Sequence, residues 1–463
     1  MSTLASFTPF AGERIAVLGL GRAGVPAALR LRDWGAEVAC WDDRPEARAA
    51  AEQAGLELRE LAPGGSFRHD ALLLSPGIPH HLPKPHPVAA AAAAAGAPIL
   101  CDVDYLFRAV RSAGSTARFI GVTGTNGKST TTALIHHLLA HSGRVSEVGG
   151  NLGPAALGFN ILGPEGHYTL EMSSYMLERI ATTNFNFAVM LNLSADHLDR
   201  HGSMAGYAAA KTQIFARQSS EDVAVLGQDD AWTRDLAPTI RGRVVPISGQ
   251  APAPGGVWGE GRLLRDDAGP LLDLDEAPSL PGAHNAQNAA AAAAVALGLG
   301  LSRAKIAAGL RSYPGLPHRQ ERVAVRDGVV FVNDSKATNA DSAARALASY
   351  DRVVWIAGGE AKEGGIESLV PLLPRVARAF LIGRDAPVLA MTLAAHGVPH
   401  EMAGTLEAAV PAAAAAAAAG AAPVVLLSPA CASWDQFTGF DARGDRFRQL
   451  VLALGADPVG RAA

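Results

Sequence analysis

One run, Gly121-Val-Thr-Gly-Thr-Asn-Gly-Lys-Ser-Thr130, constrains the fold of this 463-residue chain more than any other. It joins a buried-strand pattern opening at Arg118 (RFIGVTG) to a long helical pattern running from Lys128 towards Ala140. A strand, a Gly-rich loop and a helix in that order point backbone N–H groups and a positive helix end at an anion. Lys128 can then reach terminal phosphate oxygens, and Ser129 can face Mg²⁺. The strict Walker A spacing fails, because Val122 holds the first Gly position. TGTNGKST nevertheless keeps glycines at both turns and the Lys-Ser pair. A purely structural turn is the alternative reading, and GKST at a helix start favours ATP. The loop residues are Gly124, Thr125, Asn126, Gly127, Lys128, Ser129 and Thr130.

Strand and helix patterns alternate on both sides of this run, the signature of α/β architecture with parallel sheets. Before it, strands are expected at Arg14–Leu20, Glu37–Trp41 and Ala71–Leu74, with a helix over Val25–Trp34. After it they are expected at Tyr168–Met172, Ala188–Leu193, Val223–Leu226 and Val244–Ile247. Pro252–Gly261 reads as a surface excursion and Ala286–Leu299 as a helix. A further unit starts near YPGLP (Tyr313–Pro317), with strands at Val329–Asn333, Val353–Ala357, Ala379–Ile382 and Val424–Leu427. Boundaries fall near 108 and 315. The alanine tracts at 89–95 and 412–419 read as helix.

Composition removes several function classes. Hydrophobic residues are 49% and charged residues 18%, enough for large cores and against wholesale disorder. Forty basic and 44 acidic residues give a net charge of -4, which leaves no electrostatic footprint for nucleic acid or an anionic membrane. Cys40, Cys101 and Cys431 lie far apart, against a disulfide framework or thiolate zinc site. MSTLASFTPFAGER is not a secretory signal, and the Ala-rich tract Val88–Leu100 is too short to span a bilayer. The expectation is a cytoplasmic protein with no membrane insertion.

Other clusters carry chemistry beside a bland alternative. Gly19-Leu20-Gly21-Arg22-Ala23-Gly24 follows a strand, and Asp42 and Asp43 end the next one, a spacing suited to a diphosphate-bearing ligand. Glu171, at the end of YTLEM, offers a hard oxygen to Mg²⁺ or is an ordinary surface Glu. His197 in SADHLDRHG reads as a site residue or a structural histidine, and Lys211 in GYAAAKTQIF as a site residue or a helix-surface lysine. The chain has only six lysines against 34 arginines, and four of them, Lys128, Lys211, Lys336 and Lys362, lie in such clusters. Asn285 and Asn288 in HNAQN share a helix face, to read an adenine edge or to cap the helix. Arg319 in PHR can reach a phosphate across an interdomain cleft or form a surface ion pair. NDSKATN, GGEAK and LSPACASWDQFTGF each follow a strand, where α/β folds bind ligands. Together they suggest a second substrate site.

These motifs, in order from GLGRAG and SPGIP through GVTGTNGKST, GGNLG, LEMSSYMLE, HNAQN and GLPHRQE to NDSKATN and SPACASWDQF, resemble the Mur ligases of peptidoglycan synthesis. Within that family the likeness is to the D-glutamate-adding branch. It implies three domains: a Rossmann-like N-terminal domain binding a UDP-sugar (1–108), a central P-loop-type ATPase domain (109–315) and a Rossmann-like C-terminal domain binding the amino acid (316–463). It implies an amide ligase that activates the carboxylate of UDP-N-acetylmuramoyl-L-alanine with ATP and joins it to D-glutamate, acting as a monomer. By the same resemblance Leu20, Ala23, Asp43, Arg44, Ser75 and Gly77 line the nucleotide-sugar site, and Asn151 and His197 lie near the reacting group. Ser129, Glu171, His197 and a carbamylated Lys211 match metal-site positions for two Mg²⁺. Asn285, Asn288, Arg319 and Asp334 match nucleotide contacts. Lys336, Thr338, Lys362, Ser433, Trp434 and Phe440 match the D-glutamate pocket. Glu360 departs from the Asp expected beside Lys362, and Ala23 stands where a hydroxyl residue is common.

Overall fold

The computed structural model describes residues 7–459. Among them, three sheets form in chain order. The first contains β1 (Arg14–Leu18), β2 (Glu37–Trp41), β3 (Ala71–Leu74) and β4 (Ile99–Leu100), in the order β2-β1-β3-β4 and parallel throughout. The second contains β5 (Arg118–Thr123), β6 (Ser146–Gly150), β7 (His167–Glu171), β8 (Phe187–Met190), β9 (Val223–Gly227), β10 (Arg243–Ser248), β11 (Val257–Glu260), β12 (Leu263–Asp266) and β13 (Gly269–Asp273). Its order is β13-β12-β11-β10-β9-β8-β5-β7-β6. The third contains β14 (Glu321–Arg326), β15 (Val329–Asn333), β16 (Val353–Gly358), β17 (Val376–Ile382), β18 (His400–Gly404), β19 (Val424–Leu427) and β20 (Asp457–Pro458), ordered β18-β17-β16-β19-β15-β14-β20.

The expected α/β class holds, and most strands read from the sequence lie within a residue or two of their observed places. Pro252–Gly261 is a correction. Its second half is β11, which runs parallel to β10 with Val257 opposite Ile247 and buries Trp258. A Pro/Gly-rich run looked like a loop because the strand is short and its apolar residues are only two. The small antiparallel additions β12, β14 and β20 are likewise absent from the sequence reading.

The chain divides into two compact units, one built from residues up to Leu272 with Ala286–Leu310, the other from Asp273–Asn285 with residues from Arg311 onwards. In the first unit one continuous cluster of buried residues runs from Phe10, Leu31 and Trp34 through Tyr105 and Leu106 to Phe119, Tyr168 and Met190, and a second, with Leu18, Leu72 and Val88, packs on the first sheet. The helix Asp102–Ser112 is the link: Tyr105 packs edge-on to Phe10 at 5.4 Å, while buried Asp104 accepts the N–H groups of Ala181, Thr182 and Thr183 at 2.8–3.0 Å. In the second unit alternate residues of β16 feed opposite faces, Val353, Trp355 and Ala357 one way and Val354 and Ile356 the other. Burial on both faces is what a central parallel strand requires.

Candidate functional site

In the central sheet β5 lies between β7 and β8, so the chain leaves it to one side and later returns on the other. That switch point opens a crevice at the carboxyl end of β5, where the Gly-rich loop sits. Gly127 caps the helix Lys128–His141 with φ +83°, and a Cβ there would lie 2.1 Å from Asn288 Oδ1. Only glycine satisfies both demands. Asn192 fixes the loop further: its carbonyl accepts Thr125 N–H at 2.8 Å and its Oδ1 accepts Asn126 N–H at 2.9 Å. The Lys128 ammonium folds onto the loop, donating to the carbonyls of Gly124 (2.9 Å) and Thr125 (2.7 Å). Ser129 is buried at the first turn. Asn288 accepts from Thr131 Oγ1 at 3.2 Å, which places it against the start of the helix that follows the loop. Asn285 instead donates to the Pro281 carbonyl at 2.6 Å, a local contact.

Lys211 is 1% exposed and donates to Thr123 Oγ1 (3.2 Å) and to the Gly124 carbonyl (2.9 Å). Burial first, and then the nearby Lys128 charge, push its pKa well below that of an ordinary lysine. Glu171 ends β7 next to β5, buried; Asn151 Nδ2 donates to its Oε1 at 2.7 Å, while Oε2 is buried without a hydrogen-bond partner. His197 is in the left-handed region (φ +52°), with Nδ1 2.9 Å from the Tyr175 hydroxyl and Nε2 3.4 Å from Asp196 Oδ2. Among the described residues no group of three or more His, Cys, Asp or Glu converges as a ready-made metal cage. The orphaned Glu171 oxygen is nonetheless the kind of buried, acceptor-only atom that a hard cation satisfies.

At the first sheet, Gly24 approaches the Gly19 carbonyl so closely that a Cβ would lie 1.9 Å from its oxygen. Leu20 is buried, and its N–H donates to buried Asp42 at 2.7 Å. Arg44 donates to both Asp42 oxygens at 3.1 Å. Burial would raise the Asp42 carboxyl, but these bonds outweigh it and hold its pKa low. Asp43 is exposed and bonds His86 Nε2 at 3.0 Å. Ser75 Oγ donates to the Gly19 carbonyl at 2.9 Å, and Gly77 sits in the open loop that follows. A cavity of about 180 Å³ brings Ala23, Ser75 and Asn151 together, with Arg22, Asp102 and Met176 also on its wall. It spans from the first Gly-rich loop to the loop after β6, a span suited to an elongated ligand.

In the second unit the neighbours β16-β19-β15 are parallel, so Gly358, Leu427 and Asn333 finish at one edge of the sheet. Asp334 accepts from Ser428 Oγ (2.8 Å) and Gln320 N–H (3.1 Å), and burial lifts its pKa to about 7. Lys336 Nζ lies 3.8 Å from the centre of the Phe440 ring, a cation–π contact. Ser433 is buried, Trp434 is 68% exposed, and Thr338 and Lys362 lie on the loops after β15 and β16. Arg319 follows His318, whose φ is +62° and whose ring meets Asn333 Nδ2 at 3.0 Å.

Several buried charges escaped the sequence reading. Arg179 donates to the carbonyls of Leu74, Ser75, Pro76 and Ile78, clamping the SPGIP loop. Glu178 beside it meets Arg200 at 2.6 Å and His80 at 3.3 Å. Burial would raise the Glu178 carboxyl, but hydrogen bonds from His80 and Arg200 hold it at about 2. Arg443 is also buried. As isolated charged letters these resemble solvated surface residues, and only the long-range partners mark them out.

The Mur ligase middle-domain family matches residues 122–296, and the Mur ligase glutamate-ligase-domain family matches residues 318–431. A protein of Paramagnetospirillum magneticum named UDP-N-acetylmuramoylalanine--D-glutamate ligase is 47% identical over 96% of this chain and 97% of its own. A Rhodospirillum rubrum protein of the same name is 47% identical over 100% of both, and one from Mesorhizobium japonicum 43% over 98% of both. The solved UDP-N-acetylmuramate-alanine ligase of Thermotoga maritima shares the fold, with TM-score 0.60 at 18% identity over 96% of this chain and 100% of that one. The MurF ligase of Thermotoga maritima, solved with ADP, gives TM-score 0.54 at 20% identity over 79% and 91%. The chain belongs to the Mur ligase family. It is an enzyme, a ligase of peptidoglycan-precursor synthesis.

Proposed function

We propose that this chain joins D-glutamate to UDP-N-acetylmuramoyl-L-alanine with ATP as the energy source, in the cytoplasm and as a monomer. The observation that carries the choice of amino acid is near-full-length identity of 43–47% to relatives named for D-glutamate addition. The proposed division of labour is a UDP-sugar domain over 1–108, an ATP domain over 109–315 and an amino-acid domain over 316–463. Among the described residues no helix is long and apolar enough to cross a membrane.

A carboxylate is a poor acyl donor because oxide would have to leave. In the proposed reaction its oxygen attacks the ATP γ-phosphorus, the bond to the ADP oxygen breaks, and an acyl phosphate forms. The D-glutamate amine nitrogen then attacks the acyl carbon, and collapse of the tetrahedral intermediate expels phosphate. The amine gives up its proton and an amide remains. The loop amides from Gly124 to Ser129 and the Lys128 ammonium bind the phosphates and oppose the charge that builds on them. Asn151 and Ser75 orient the sugar-nucleotide in the cavity, and His197 is held for the reacting group by Tyr175 and Asp196. Glu171, Ser129, His197 and Lys211 are the residues that would hold Mg²⁺, which supplies charge neutralisation at the phosphoryl oxygens. Lys211 suits this as a carbamate: burial favours its deprotonated amine, which attacks the carbon of CO₂; an N–C bond forms, one C=O π bond opens to an anionic oxygen, and the nitrogen loses a proton, leaving an anionic oxygen ligand.

The test is phosphate release from ATP, Mg²⁺ and UDP-N-acetylmuramoyl-L-alanine with a panel of amino acids. Release with D-glutamate alone, with the amide product seen by mass, is expected. Release with a different amino acid overturns the acceptor and keeps the family.

A further inference from the structure

Arg443, in the first turn of the helix Phe440–Ala453, is 1% exposed. Its guanidinium spends every N–H it has on three separate loops. Nε donates to Ser335 Oγ at 3.0 Å and Nη2 to the Ser335 carbonyl at 2.9 Å, on the loop after β15. Nη1 donates to the Gly358 carbonyl at 3.4 Å, at the end of β16. Nη1 and Nη2 also donate to the carbonyls of Ala432 (3.4 Å) and Cys431 (3.1 Å), on the loop after β19. These loops carry Lys336, Thr338, Lys362 and Ser433. Among the described residues no carboxylate lies within ion-pairing distance of this guanidinium.

We infer that Arg443 is a positioning residue for the amino-acid acceptor: one buried fork sets the spacing of the three strand-end loops that form its pocket. This rests on the acceptor site proposed above. A buried charge held only by neutral acceptors is a costly way to obtain stability, since an apolar side chain of equal volume would avoid the desolvation. What the fork supplies is geometry. A planar guanidinium with five donors reaches three loops at once, and a lysine ammonium with three donors and no fork cannot. The helix that carries it is seated closely as well, because a Cβ at Gly444 would lie 2.1 Å from His318 Nδ1.

The experiment compares wild type, Arg443→Lys and Ser335→Ala by steady-state kinetics, varying D-glutamate, ATP and the UDP-sugar in turn. In Arg443→Lys the KM for D-glutamate is expected to rise about tenfold or more, as for loss of one or two charge-assisted hydrogen bonds, with the other two KM values within about twofold. Ser335→Ala, which deletes a hydroxyl that accepts from Arg443 Nε and donates to the Phe440 carbonyl at 2.7 Å, should move the same constant about two- to fivefold. A role in folding alone would lower kcat through the active fraction and leave all three KM values in place, and that result overturns the inference. Should Arg443→Lys not fold, Ser335→Ala decides in the same way. If wild type uses another amino acid, the proposed acceptor falls and the same comparison is made with that one. If wild type releases phosphate with no amino acid, the reading of the function fails and this inference with it.

Discussion

The loop after β5 and the loops after β15, β16 and β19 all lie at the carboxyl ends of parallel strands, yet the two cradles they form are held differently. The first is one continuous segment turned by its own backbone, with Gly127 at positive φ, and braced at one place by Asn192 of the loop after β8, which catches Thr125 and Asn126. The second is three segments far apart in sequence, joined by side chains from elsewhere, above all Arg443. A cradle made of backbone tolerates little change within itself. A cradle made by a distant tie is sensitive at the tie.

The largest effect is expected within the first cradle. Lys211→Ala should lose activity by about 10³-fold, the scale of removing one preorganised charged group from a transition state. Added bicarbonate should not restore it, because no amine remains to capture CO₂. Phosphate-release assays across a bicarbonate series check this, and full activity in the variant would sink the carbamate.

Next comes a tie of the second kind placed in the first unit. Arg179→Met leaves the carbonyls of Leu74, Ser75, Pro76 and Ile78 without their donor and should cost roughly 1–3 kcal/mol of unfolding free energy, the range for buried acceptors left unsatisfied, after relief of the guanidinium's own desolvation is set against it. Denaturant titration measures it, and a loss below about 1 kcal/mol would show that water replaces the clamp.

Gly127→Ala tests the backbone cradle directly. Positive φ alone costs about 1–3 kcal/mol, and the added methyl must displace Asn288 Oδ1. The expectation is a raised KM for ATP of about tenfold or more, with the D-glutamate KM unchanged, the mirror image of the Arg443 result. Equal shifts in both constants would mean that the two cradles are not independent.

The last effect is a pH slope. Buried Asp334 has a folded-state pKa of about 7, above the unfolded value of about 4. Between these values the folded chain binds the extra proton, so stability falls as pH rises from about 4 to about 7 and then levels. Asp334→Asn should flatten that part of the profile, read as melting temperature against pH. An unchanged slope would assign it to other groups.

How much was readable follows the same division. The strand–loop–helix around Gly124–Ser129 was legible because its turn chemistry, its lysine and its position between two elements are all local. The four lysines in polar clusters were legible because lysine is scarce here, although that count could not say which was buried. Asn285 and Asn288 look equivalent at three residues apart, but Asn288 accepts from Thr131 in the helix after the Gly-rich loop, while Asn285 donates to the Pro281 carbonyl. Glu178, Arg179, Arg200 and Arg443 were not legible at all as buried groups, since their partners lie far along the chain.

From the amino-acid order alone came the α/β alternation, the Gly-rich loop before Lys128 and the polar strand ends, because hydrophobic period and turn residues are properties of short windows. Only the tertiary structure decided that β19 inserts between β15 and β16, and that Ala23, Ser75 and Asn151 share one cavity. The same holds for Lys211, buried against the Gly124 carbonyl. Strand order and burial depend on which distant surfaces meet, and with them go the desolvation that pushes a lysine's pKa well below its ordinary value and the long-range bonds that turn a surface-like arginine into a tie.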